Sequence, residues 1–188
     1  MRIISGAKRG LRLASVGKGD TGAHLRPTSD RVRESLFNVL TGGHYGSPIA
    51  GARVLDLFAG TGALGFEALS RGATQVTFVD DGKKAGSLIH ENTALMQATD
   101  TTKLVRRDAT KLGENPYAPF SLVFLDPPYG KALGDKALTA ALDGNWLTPD
   151  ALIVFEENTP QPARPGFALQ DSRRYGDTHI TLLQRIPT

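Results

Sequence analysis

The stretch of this chain with the clearest capacity for chemistry is FLDPPYG, residues 124–130, where an apolar run at 121–125 meets an acid, two prolines and an aromatic. Asp126 supplies a carboxylate acceptor and Pro127 a backbone carbonyl. Each proline fixes φ near about −65° and lacks an N–H, so the segment must leave a strand ladder with its carbonyls turned outward. Tyr129 offers a flat face on which a nucleobase can stack, with Pro128 beside it and Gly130 leaving room. Two acceptors holding the two N–H bonds of an exocyclic base amine turn its lone pair out of the ring, toward an electrophile. Adenine N6, cytosine N4 and guanine N2 all satisfy that chemistry. The plainer alternative is a rigid Pro-Pro turn closing a core strand, but the flanking acid and aromatic favour a site.

A second constellation is Gly60-x-Gly62-x-x-Gly65 in LDLFAGTGALGFEAL. Between a strand and a helix, such glycines let the backbone turn tightly and approach a ligand at the helix N-terminus. Phe58, Ala59, Gly60 and Gly62 are the candidates for cofactor contact there. Phe58 also reads as core, together with Leu64, Phe66, Phe78 and Phe155. Asp56, four residues before Gly60, would repel a pyrophosphate but suits a cofactor carrying a cationic amino-acid moiety. That favours S-adenosylmethionine (SAM), which has an ammonium, a sulfonium and no phosphate, over NAD. Asp80, closing the second strand, is placed for the ribose hydroxyls, with Asp81 as the alternative. Asp108, in RRDAT, can accept from an adenine amino group while the Ala109 amide donates to a ring nitrogen. Singly, each acid would more often be a cap or turn residue. Three acids at successive strand ends around one glycine turn point to a site.

These residues need elements to hold them. RVLDLF, QVTFVD, KLVRRD, FSLVFLD and ALIVFEE read as strands, with helices over ALGFEALSRG, roughly 82–98, and KALGDKALTAALDG between them. Strands separated by helices of 10–15 residues indicate βαβ units and a mostly parallel, doubly wound sheet, with its ligand crevice at the carboxyl ends of the central strands. FALQDSRRYG and HITLLQRI read as a terminal antiparallel pair. In TSDRVRESLFNVL, the positions Val32, Leu36, Val39 and Leu40 predict an amphipathic helix over 28–40, capped by Thr28, Ser29 or Asp30. MRIISGAKRGLRLAS reads as one or two short strands of a basic hairpin or arm. The glycine-rich linker at 41–52 divides the chain into an extension, 1–45, and a body, 46–188.

With 188 residues, the chain can bury one substantial domain. The absence of cysteine excludes disulfides and thiol nucleophiles, and His24, His44, His90 and His179 lie too far apart to suggest a metal site. No apolar run approaches a membrane span and no secretory signal is visible, which fits a cytoplasmic protein. Net charge is +3, yet residues 1–33 hold eight Lys and Arg against Asp20 and Asp30, leaving the remainder at −3. Such a basic arm on a mildly acidic body suggests a polyanionic partner. Arg2, Lys8, Arg9, Arg12, Arg26, Arg31 and Arg33 are the candidate phosphate contacts, although Arg31 and Arg33 can equally pair with Asp30 or Glu34. Arg173 and Arg174 form a smaller basic spot that reads as solvated surface.

Taken together, ISGAKRGLRL, RPTSDRVRESLFN, VLDLFAGTGALGFEALSRGA, LDPPYG and YGDTHITLL resemble the RsmD-type family of bacterial 16S ribosomal RNA guanine-N2 methyltransferases, within the class I SAM-dependent methyltransferases. The resemblance spans nearly the whole chain and is most specific in RPTSDRVRE. It implies a Rossmann-like, seven-stranded sheet with helices on both faces, SAM as cofactor, and 16S ribosomal RNA or a small ribosomal subunit as partner, while the chain's size leads us to expect a monomer and its residues no metal. It also selects guanine N2 among the three permitted amines. VDDGKKAG departs from the family pattern by pairing two acids before Gly82. Competing readings are a DNA adenine-N6 or cytosine-N4 methyltransferase, a protein-amide methyltransferase, a noncatalytic RNA-binding assembly factor, and an NAD-binding protein.

Overall fold

Long uninterrupted buried runs, rather than alternating ones, mark the central strands: Val54 to Leu57, Val76 to Val79 and Leu122 to Leu125 are all buried. Only a sheet covered on both faces gives strands that pattern. The structure, a computed structural model, describes residues 1–16 and 29–186. Its strands are β1 (Arg53–Leu57), β2 (Gln75–Val79), β3 (Thr102–Val105), β4 (Phe120–Leu125), β5 (Leu147–Glu157), β6 (Phe167–Tyr175) and β7 (Thr178–Arg185). They form one sheet in the order β3-β2-β1-β4-β5-β7-β6. The first five are parallel, and β7 runs antiparallel between β5 and β6.

The helices are α1 (Asp30–Thr41), α2 (Ala63–Ser70), α3 (Lys83–Met96) and α4 (Leu133–Asp143). Strand parity sorts the core into two layers. Val54, Phe78, Phe124 and Val154 face α1, α2 and α3, while Leu55, Val79, Leu125 and Phe155 face α4. Ile3 and Leu13 of the N-terminal arm belong to the first layer, packed with Phe66 and Ile89.

Several elements differ from the sequence expectation. The arm folds back as a hairpin but makes only one bridge pair, Arg2 with Arg12, instead of a strand ladder. While Ile3, Gly10 and Leu13 N–H bond within the hairpin, other arm amides turn to the body: Ile4 N and Ser5 N donate to the Glu67 carboxylate, and Lys8 N donates to Ser70 Oγ. In α1, capped by Ser29, the buried stripe is Arg33, Leu36, Phe37 and Leu40. It is rotated from the expected one because Arg33 is drawn inward by Asp30 and the buried Glu67. β3 stops at Val105, and Asp108 caps a 3-10 turn at Ala109–Lys111 rather than closing the strand. β5 begins four residues before the expected Ala151, because Leu147 pairs with Phe120 ahead of a register shift that accommodates Pro149.

Candidate active site

Sheet order makes β1 and β4 neighbours at the point where the chain winds in opposite directions, and such switch points hold the ligand crevice of doubly wound sheets. Leu57 pairs with Leu125, and the last ladder bond runs from Asp126 N to Leu57 O at 3.4 Å. The glycine turn and the DPPY segment therefore leave the sheet side by side. Phe58 enters the turn at φ 58°, a left-handed conformation that is uncommon for a bulky residue. Backbone held in that region is characteristic of ligand-binding and catalytic turns.

Three carboxylates brace this end of the sheet. Asp80 Oδ2 accepts from Gly60 N at 2.9 Å and its Oδ1 from Gly82 N at 2.8 Å, so the second strand end fixes the glycine turn directly. Burial raises its pKa, opposed by those two amide bonds. Asp81 is exposed on the adjacent loop. Asp108 Oδ1 accepts from Thr110 N and Thr110 Oγ1, and these bonds hold its carboxyl below the usual range. Ala109 is buried beside it.

Asp56 sits deeper than its strand-end position suggests. It is 2% exposed, and its Oδ2 accepts from Gly65 N at 3.0 Å. Burial pushes its pKa up to about 8, with the Gly65 bond opposing and the charge of Asp80 adding. Parity explains the placement, since Asp56 follows Val54 onto the α2 face. Gly65 must be glycine there: a Cβ would lie 2.5 Å from Phe78 Cε1, 2.7 Å from Val76 Cγ1 and 3.0 Å from Asp56 Oδ2.

On the other side of the crevice, Asp126 is half-buried, Pro127 is buried and Pro128 is exposed. Tyr129 donates its hydroxyl to Glu156 Oε1 at 2.7 Å, and its oxygen lies 3.3 Å from Thr178 Oγ1. Burial, then the Glu156 charge, raises the phenol pKa. Gly130, at φ 71°, donates its amide to the Glu157 carboxylate at 3.2 Å. Glu156 and Glu157, both 5% exposed, thus fix the aromatic and the glycine of the loop. Sequence reasoning passed over them as the end of a strand. The signal was available: two adjacent acids end an apolar run at the sheet's carboxyl edge, as Asp56, Asp80 and Asp126 do.

The described basic candidates lie on the arm and on α1. Arg2, Arg9, Arg12 and Arg31 are exposed, and Lys8 is half-buried with Nζ donating to Gln97 Oε1. Arg26 lies outside the described residues. Of its two readings Arg33 takes the pairing with Asp30 and not the phosphate contact: at 1% exposure, with Nη2 donating to Arg2 O and to Asp30, it is a core cation and cannot reach a phosphate.

A family model described as conserved hypothetical protein 95, the RsmD family, matches residues 1–184. The chain belongs to this family. The ribosomal RNA small subunit methyltransferase D of Haemophilus influenzae is 36% identical over 165 residues, covering 86% of this chain and 81% of that one. The protein of the same name from Escherichia coli K12 is 34% identical over 188 residues, covering 98% and 90%. The solved structure of the Escherichia coli protein yhhF has a TM-score of 0.82 at 33% identity, over 100% of this chain and 99% of that one.

As a member of the RsmD family the chain has the class I methyltransferase fold and uses SAM. The crevice fits that cofactor. The charge of Asp80 raises the proton affinity of the buried Asp56, and the Asp80 carboxylate rests on the glycine turn at Gly60 N, a setting that favours a cationic, phosphate-free ligand over a pyrophosphate. Among the described residues no cluster of His, Cys, Asp and Glu could hold a metal, and no helix is long and apolar enough to cross a membrane.

Proposed function

We propose that this chain transfers the SAM methyl group to the exocyclic N2 amine of a guanine in 16S ribosomal RNA, on a small-subunit particle and as a monomer. The observation that carries this reading is the pairing at the switch point, where Asp126 and the glycine turn emerge from hydrogen-bonded neighbouring strands. SAM supplies an activated methyl on a sulfonium, so the protein's task is alignment, for which effective molarities of about 10⁵ M or more set the scale. Asp126 and the Pro127 carbonyl hold the two N–H bonds of the amine, and Asp126 takes up the proton released. General-base help is worth about 10²–10⁴-fold, so alignment dominates. Tyr129, pinned by Glu156, stacks the base, and Pro128 borders it.

Around the cofactor, Phe58, Ala59, Gly60 and Gly62 line the turn, Asp80 meets the ribose, and Asp108 with Ala109 meets the adenine. Asp80 is preferred to Asp81 because its carboxylate already rests against Gly60. Asp56 acts from beneath the turn. The extension, 1–45, presents Arg2, Lys8, Arg9, Arg12 and Arg31 to RNA phosphates, with Arg26 as a further candidate, while 46–188 carries the chemistry. The names of the relatives support ribosomal RNA as substrate. The test is labelling of small subunits, from cells lacking this protein, with tritiated SAM, followed by nucleoside analysis. N2-methylguanosine is expected; label in another nucleoside, or none, refutes the assignment.

A further inference from the structure

Asn92, on α3, is fully buried. Its Oδ1 accepts from Ala14 N at 2.7 Å, and its Nδ2 donates to Ala14 O at 3.1 Å and to Thr61 O at 3.0 Å. One carbonyl and two N–H bonds are all used, and a flipped amide would set oxygen against two carbonyls, so the orientation is determined. Thr61 stands between Gly60 and Gly62 in the cofactor turn, and Ala14 follows Leu13, whose amide bonds back to Met1 O in the basic arm's hairpin. A second contact runs the same way, from Thr61 Oγ1 to Met1 Sδ at 3.6 Å.

The arm's other anchors lie elsewhere. Ile4, Ser5 and Lys8 attach to Glu67 and Ser70, at the far end of α2. The arm therefore runs along α2 and meets the glycine turn only through Asn92 and Met1 among the bonds described.

We propose that Asn92 is a positioning residue that couples the basic arm to the cofactor turn, so that filling the turn orders the arm for RNA. A single side chain satisfies backbone groups of both partners, so displacing either leaves a buried amide group unpaired, a cost that ties their positions together. Coupling of this kind is reciprocal: if cofactor orders the arm, RNA held by the arm must tighten cofactor by the same factor. The inference rests on the cofactor lodging at the glycine turn, and its test needs no RNA and no turnover.

The experiment is hydrogen exchange on the full chain with and without S-adenosylhomocysteine, alongside calorimetry of the same ligand. The reporters are the amides of Ile3, Gly10 and Leu13, whose acceptors Leu11 O, Ile3 O and Met1 O all lie within the arm. Bound ligand should slow their exchange at least about fivefold in the unaltered chain, the lower end of ordinary coupling between sites. Asn92→Ala should still bind ligand yet lose that slowing. Asn92→Asp, which keeps an acceptor for Ala14 N but has no donor for Thr61 O, should lose it too. A merely structural Asn92 would change arm exchange equally with and without ligand. Binding heat without slowing in the unaltered chain, or full slowing in the variants, overturns the coupling alone. No binding heat in the unaltered chain overturns the cofactor placement with it.

Discussion

At neutral pH the Asp56 carboxyl is held largely protonated in the folded chain, because burial lifts it from its ordinary 3.8 to about 8. Asp126, two strands' ends away in sequence but adjacent in the sheet, is half-buried and meets the crevice. The unfolded chain releases the Asp56 proton near its ordinary value, while the folded chain retains it. Stability should therefore be fully present below about pH 4 as far as this group is concerned, and should fall as pH rises toward about 8. The slope is at most about 1.4 kcal/mol per pH unit. Asp56→Asn should flatten that dependence, read from urea unfolding at pH 5 and pH 8. Tyr129 permits a second test. Removing its ring in Tyr129→Ala forfeits stacking worth about 1–3 kcal/mol, so KM for RNA should rise about 5- to 150-fold with KM for SAM little changed.

Elements are where sequence patterns and tertiary demands part company. The strands β1, β2, β4 and β5 were readable from their apolar runs, and so was the glycine turn between β1 and α2, but which face each residue takes was not. The stripe of α1 was not, because its period admits either Val32 or Arg33, and only the distant Glu67 decides. Glu67 is fully buried and accepts from Ile4 N, Ser5 N and Arg71 Nε while facing Arg33. Glu67→Ala should cost about 3–5 kcal/mol in urea unfolding, since it leaves two arm amides unpaired and takes one of two carboxylates from the buried Arg33. Gly65→Ala tests the turn instead. Overpacking against Phe78 and Val76 should cost about 1–3 kcal/mol and loosen cofactor binding, as the new methyl presses on the Asp56 carboxyl beside the turn. The glycine motif announced a close approach there, but not that core side chains on one side and a buried acid on the other would enforce it.

Across the molecule, charge and chemistry are separated: the exposed cations Arg2, Arg9, Arg12 and Arg31 ride on the arm and α1, while carboxylates crowd the carboxyl edge of the sheet. The alternation of strands and helices made the mostly parallel, doubly wound sheet and its terminal antiparallel pair legible. The Asn92 and Glu67 links were not, because each joins segments more than 60 residues apart. If about five arm phosphate contacts form, the logarithm of RNA affinity should fall with the logarithm of salt at a slope of about −3.5 to −4.5, measurable by filter binding. A slope near zero would remove the arm from recognition. The central claim is that Asp126 holds the target amine against a cofactor lodged over the glycine turn. It is tested most directly by Asp126→Ala, comparing methyl transfer to small-subunit particles with SAM affinity by calorimetry. Transfer should drop by about 10² or more while SAM affinity stays within a few-fold. Undiminished transfer in this variant would contradict it.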